Sequence, residues 1–325
     1  MQKFLQTKIF ILLLCLGLFL VMPLFLTPYM LDFMIVIFLF AFLASAWDII
    51  GGYAGQLSLG HAAFFGIGAY TSTYLYVNQN ISPWIGMIAG ALLATFVAII
   101  LGFLCFRYGL KGPFFALATL AFAEVLRLVA TNWGAIGGAL GILIPLTGDS
   151  FVKFTFMEKI NYYYIIFFMM IFSALIVSFI DRSKMGLYLM AIRENEDTAE
   201  SAGVDTTKYK LLAISISAFL TGMGGTFYAQ YVMYISPNEV FGIPLSIEII
   251  LRSIIGGSGT VLGPVLGAFV LGPLAEWARV YLGGYSGVHL MIYGGIVMLV
   301  VLVMPNGIGP RLWDLVRRYE GKVNV

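Results

Sequence analysis

Residues 181–210 read DRSKMGLYLMAIRENEDTAESAGVDTTKYK, the one long polar segment in a chain of 325 residues. It holds Asp181, Arg182, Lys184, Arg193, Glu194, Glu196, Asp197, Glu200, Asp205, Lys208 and Lys210, which is 11 of the 34 charges supplied by 18 Lys+Arg and 16 Asp+Glu. On both sides of it the chain is apolar in long unbroken runs. With 61% hydrophobic and 10% charged residues and a mean hydropathy of +0.96, the sequence predicts an all-α, polytopic helical membrane protein. An outer-membrane barrel is excluded, because the apolar runs do not alternate with period two.

A bilayer core about 30 Å thick takes roughly 20 apolar residues per spanning helix. Breaks at Pro, Gly and charge divide the chain into about ten spans: 8–27, 30–50, 55–77, 83–106, 113–132, 161–180, 211–233, a short one at 243–256, then 263–282 and 286–305. Threading them from a cytoplasmic N-terminus puts Lys3, Lys8, Arg107, Lys111, Arg182, Lys184, Arg193, Lys208, Lys210, Arg311, Arg317, Arg318 and Lys322 inside. Only Lys153 and Lys159 fall in outer loops. This bias predicts one transmembrane domain over 1–325, with both termini, the 181–210 loop and a tail at 306–325 on the cytoplasmic side. The first run, Ile9–Leu26, follows Lys3 and Lys8, lacks an A-x-A signal and continues through Thr27-Pro28. It therefore reads as an anchor and not as a cleaved signal peptide.

Two stretches depart from plain spans. Residues 51–70, GGYAGQLSLGHAAFFGIGAY, and 256–272, GGSGTVLGPVLGAFVLG, each open on a glycine pair and continue as a small-residue helix. They resemble an internal repeat of short or broken Gly-rich helices. Glycine weakens a helix and permits close backbone approach. Broken helices at membrane depth occur where they line a cavity or are buried in protein. Tight packing and a lined route are both open readings. For the second, the candidate substrate-contact residues are Ser45, Gln56, Ser58, His61, Gly257 and Gly259. These neutral groups suit a small polar or zwitterionic solute, or equally satisfy backbone freed at a break.

Three acid–arginine pairs lie within apolar runs at helical spacing: Glu124/Arg127, Glu248/Arg252 and Glu276/Arg279. A charge in hydrocarbon is costly, so local pairing is expected, and it serves packing or a subunit contact as well as function. Asp32 and Asp48 sit near the ends of their span and are expected to reach the interface. His289 reads as a packing residue. Cys15 and Cys105 lie in apolar runs, and no Cys/His cluster has metal spacing, so neither a disulfide nor a metal site is expected.

Within the polar segment, Asn195-Glu196-Asp197-Thr198 offers a helix start and Gly203 a stop, with a second start at Asp205-Thr206-Thr207. Here the sequence resembles the permease subunits of branched-chain amino acid ATP-binding-cassette importers, over nearly its whole length. Three motifs carry the resemblance: 51–70 as quoted, AIRENEDTAESAGV at 191–204, and IGGSGTVLGPVLGA at 255–268. It implies a permease of the bacterial cytoplasmic membrane, in contact with lipid, that pairs with a second, similar permease. Two cytoplasmic ATPases and an extracytoplasmic solute-binding protein complete such an importer. It also implies that Arg193, Glu194, Asn195, Ala199, Glu200, Ala202 and Gly203 form a coupling helix on the ATPase. Ser201 stands where such permeases are expected to carry alanine.

No G-x-x-x-x-G-K-[ST] occurs in the chain, so ATP and Mg belong to the partners and no cofactor is expected on this chain. The resemblance implies transport of leucine, isoleucine or valine by alternating access, with urea or short amides as the alternative cargo. An ion-coupled carrier acting alone would call for unpaired intramembrane acids. An enzyme would call for a nucleophile–base or metal constellation, and nucleic-acid binding would call for a basic soluble domain.

Overall fold

The computed structural model describes residues 16–146 and 148–282, together with 294–295, 298, 302 and 307–309. Most of the expected span at 286–305, His289, Cys15 and nearly all of the 306–325 tail lie outside these residues.

Proline and small polar residues set the helix starts. Thr27 Oγ1 caps α1 (Pro28–Asp48) by accepting from Met30 N, with Pro28 in the first turn. The helix then widens into a π-turn at Ile49–Tyr53. An irregular stretch over 54–60 follows, before α2 (His61–Gln79) begins. The expected span at 55–77 is thus corrected: its first residues are a break, because Gly55 sits at φ +66° and the chain turns there. Prolines again open α3 (Pro83–Arg107) and α4 (Pro113–Asn132).

After an irregular segment containing strand β1 (Ile142–Leu143) comes α5 (Lys159–Asp181). It leads into α6 (Lys184–Glu194), α7 (Glu196–Ser201) and α8 (Thr206–Val232). Strand β2 (Tyr234–Ile235) pairs antiparallel with β1, Ile142 opposite Ile235, a small exception to the all-α expectation. The short α9 (Pro237–Val240), α10 (Ile243–Gly256) and α11 (Gly263–Leu282) complete the described elements.

Among the described residues, five helices are long and apolar enough to cross a membrane: α1 with its π-turn, α3, α4, α5 and α8. Residues such as Leu92, Phe96, Ile99 and Phe103 leave one face of α3 apolar and exposed, as a lipid-facing helix requires.

Two helix groups share the core. α2, α3 and α8 pack on one another, while α1 packs on α5, α10 and α11 and also touches α8. Glycine sets the closeness of the first group: a Cβ on Gly68 would lie 2.0 Å from Gly222 O, and one on Gly90 would lie 3.0 Å from Gly68 Cα. α2 and α8 run parallel, with His61 beside Ser217 and Gly68 beside Gly222. In the second group α10 and α11 fold back as an antiparallel hairpin. A Cβ on Gly256 would lie 1.8 Å from Gly263 O, and one on Gly267 would lie 1.8 Å from Arg252 O.

Candidate functional site

The two Gly-rich breaks, far apart in sequence, meet on one buried carboxylate. Asp48 closes α1 and is fully buried. Its Oδ1 accepts from Ser253 Oγ at 2.5 Å, and both of its oxygens accept from Gly259 N at 3.0 Å. The expectation that Asp48 reaches the membrane interface is therefore corrected. A broken helix leaves backbone donors without partners, and a carboxylate is the strongest acceptor available to them.

The polar loop reaches the same place. Arg193, in the last turn of α6, donates from Nη1 to Gly52 O at 2.7 Å. Gly259, at φ +77°, leaves room for it: a Cβ there would lie 2.4 Å from Arg193 Nη1. Tyr53, on the π-turn, donates to Asp181 Oδ1 at 3.0 Å and joins the break to the end of α5. The first break is thus tied to the start and the middle of the 181–210 segment, and Gly259 of the second lies against Arg193.

Of the neutral candidates, Ser45 is buried and back-bonded to Ala41 O at 2.8 Å. Ser58 and His61 form a relay, with His61 Nδ1 at 3.1 Å from Ser58 Oγ and Nε2 at 2.7 Å from Ser217 Oγ. Trp47 Nε1 donates to Ser58 O. Gln56 is buried, and its Nε2 donates to Ala54 O at 3.3 Å. Thr119 and Ser246, which sequence reasoning missed, accept from Leu59 N and Ala62 N and so satisfy the break and the first turn of α2. Ser58 and His61 are thus held to one another and, through His61, to Ser217 of α8. Gly257 and Gly259 lie in the α10–α11 turn, beside Gly307 and Arg193 respectively. The pairing of Asp48 with a break across 211 residues has one local signal, an acid placed just before a glycine pair.

Caps and ion pairs hold the elements of the loop. Asn195 Oδ1 caps α7 by accepting from Thr198 N at 2.9 Å, Gly203 turns the chain at φ +89°, and Asp205 caps α8 through Lys208 N. Glu196 takes an ion pair from the buried Lys210 at 2.5 Å, with Lys210 4.8 Å from the centre of the Phe106 ring. Lys111 pairs with Asp197 at 2.7 Å. That contact holds the Asp197 carboxyl below its ordinary range and pushes the Lys111 ammonium up. Ala199 is buried, whereas Arg193, Glu194, Asn195, Glu200, Ala202 and Gly203 are exposed. The outward surface thus excludes Ala199, which faces the protein.

Glu124 and Arg127 pair at 2.5 Å, and Arg127 also reaches Asn238. Glu248 and Arg252 pair at 3.0 Å. Glu276 accepts from Tyr29 OH at 2.6 Å. The Arg279 side chain lies outside the described residues.

The family described as the permease component of branched-chain amino acid transport systems matches residues 29–303. The high-affinity branched-chain amino acid transport system permease proteins LivM of Salmonella typhimurium and of Escherichia coli are each 28% identical over 286 residues, covering 81% of this chain and 66% of theirs. The chain thus spans just under two thirds of the length of those relatives. The autoinducer 2 import system permease protein LsrC of Photorhabdus laumondii is 24% identical, covering 70% of this chain and 77% of its own. No solved structure matches the chain.

Proposed function

This chain belongs to the family of permease components of branched-chain amino acid transport systems, and from that premise we propose that it is the membrane-spanning subunit of an ATP-driven amino acid importer. It crosses the bacterial cytoplasmic membrane about ten times with both termini inside. It pairs with a second, similar permease and two cytoplasmic ATPases that carry ATP and Mg, and it receives solute from an extracytoplasmic binding protein. The cargo is leucine, isoleucine or valine, moved by alternating access.

The observation that carries this reading is the Arg193–Gly52 hydrogen bond. It makes α6 and α7 one lever whose inner end sits on the two broken helices and whose outer surface is free for an ATPase. A push on α7 passes through Arg193 to the Gly52 carbonyl, and through Gly259 and Asp48 to both helix groups. Glu200→Arg reverses charge on the exposed face, and Gly203→Pro demands φ near −65° where the chain holds +89°. Both variants are expected to insert normally but to lose ATPase co-purification and ATP-dependent leucine uptake in proteoliposomes. Normal uptake by both would sink the coupling assignment. A different small polar cargo is the second reading, favoured by the likeness to a permease named for autoinducer 2 import.

A further inference from the structure

Between α1, α10 and α11 lies a cleft of about 320 Å³, at the small end of the range of about 300–1,000 Å³ for small-molecule sites. One wall is apolar, from Phe33, Val36 and Phe40 of α1. The other carries the Glu248–Arg252 pair, and Glu276 lines the cleft beside Tyr29. The two members of the pair are unequal. Arg252 is 4% exposed and stacks 3.6 Å from the centre of the Phe40 ring, whereas Glu248 is 44% exposed. Arg252 Nε is buried and has no hydrogen-bond partner. Asp32, also on the wall, is already held by Lys159 and by Tyr231 OH at 2.5 Å.

We propose that this cleft binds the backbone of an α-amino acid, whose carboxylate sits on Arg252 and whose ammonium sits on Glu248. The fixed guanidinium is the anchor, and the exposed carboxylate is the partner able to swing. A zwitterion inserted between them replaces one internal ion pair with two and leaves no charge unpaired in the membrane. A ligand with only one of the two charges strands either Glu248 or Arg252, a large penalty in a low-dielectric site. The α-amino acid's apolar side chain then lies along Phe33, Val36 and Phe40. The cleft begins near Tyr29, at the start of α1 and on the outer side in the proposed topology, so the inference rests on the importer reading.

The test uses the permease–ATPase assembly without its binding protein, so that selection by that protein plays no part. In a Cys15→Ser, Cys105→Ser background, Val36→Cys on the cleft wall is alkylated with a water-soluble maleimide. Millimolar L-leucine is expected to slow labelling roughly threefold or more by occupancy. 4-Methylpentanoate and isoamylamine, each lacking one charge, are expected to give no protection. Adding Arg252→Gln or Glu248→Gln is expected to abolish the leucine effect. The inference is overturned if leucine fails to protect, if the single-charge analogues protect equally, or if Val36→Cys does not react because a subunit or lipid covers it. ATPase co-purification in the same preparation reads the importer assignment separately: an intact complex without protection sinks the cleft alone.

Discussion

Asp48 and Gly259 hold the two breaks together with few atoms, so small changes there have large effects. Asp48→Ala strands the buried Ser253 hydroxyl, whose lost partner costs about 1–3 kcal/mol, and also leaves the half-buried Gly259 N–H without its acceptor. A clear fall in the melting temperature of the purified protein is expected, with a smaller fall for Asp48→Asn, which keeps an acceptor. Equal melting of Asp48→Ala and wild type would show that the carboxylate does not join the breaks. Gly259→Ala acts differently: its methyl would meet Arg193 Nη1 and force a strained φ. The expected outcome is a folded permease whose ATPases no longer respond to loaded binding protein. The sequence shows Asp48 only as an acid before a glycine pair and Gly259 only as one glycine of a break, with nothing to join the two. An acid near the end of an apolar run looks like an interface residue until a chain segment more than two hundred residues away is seen to cover it.

The elements of the polar loop were more legible, because helix caps are local. Asn195, Gly203 and Asp205 announce their turns through side-chain and φ preferences that need no tertiary context. α6 was not foreseen, since its face is set by burial of Leu189 and Ile192 against the rest of the fold. Asn195→Ala removes a cap worth about 1 kcal/mol and is expected to fray α7 and weaken ATPase binding severalfold in a pull-down titration. Lys210→Met leaves Glu196 without its buried partner, and breaking such a pair costs about 3–5 kcal/mol. That variant is expected to show the larger loss, read as proteolytic sensitivity of the 196–210 stretch. The Lys111–Asp197 tie has a defined pH sense. Because the folded state depresses the Asp197 carboxyl, the tie is present above the ordinary carboxylate range and is lost as pH falls through the depressed value. ATPase docking is therefore expected to be insensitive to pH around neutrality, and titration of docking there would contradict this role for the pair.

For the molecule as a whole, the proposed topology places one crossing, α5, between the segment bearing β1 and the α6–α7 loop. Leu140 and Thr198 are both exposed and are each replaced by Cys in turn. An impermeant thiol reagent is expected to label the first only in right-side-out vesicles and the second only in inverted ones; labelling from the same side would refute the topology. Charge bias in the sequence predicts this orientation, which the labelling tests, whereas the division into two helix groups rests on which glycines face each other, a matter of three-dimensional register. One of those registers bears on heredity. In the α10–α11 hairpin, Gly256, Gly263 and Gly267 touch backbone with no space for a single added carbon. Every one-base change of a glycine codon that replaces the residue installs a side chain with at least that carbon. The hairpin therefore has no neighbouring missense allele that preserves its geometry, and a saturation library under selection for uptake should return these three codons with only synonymous changes.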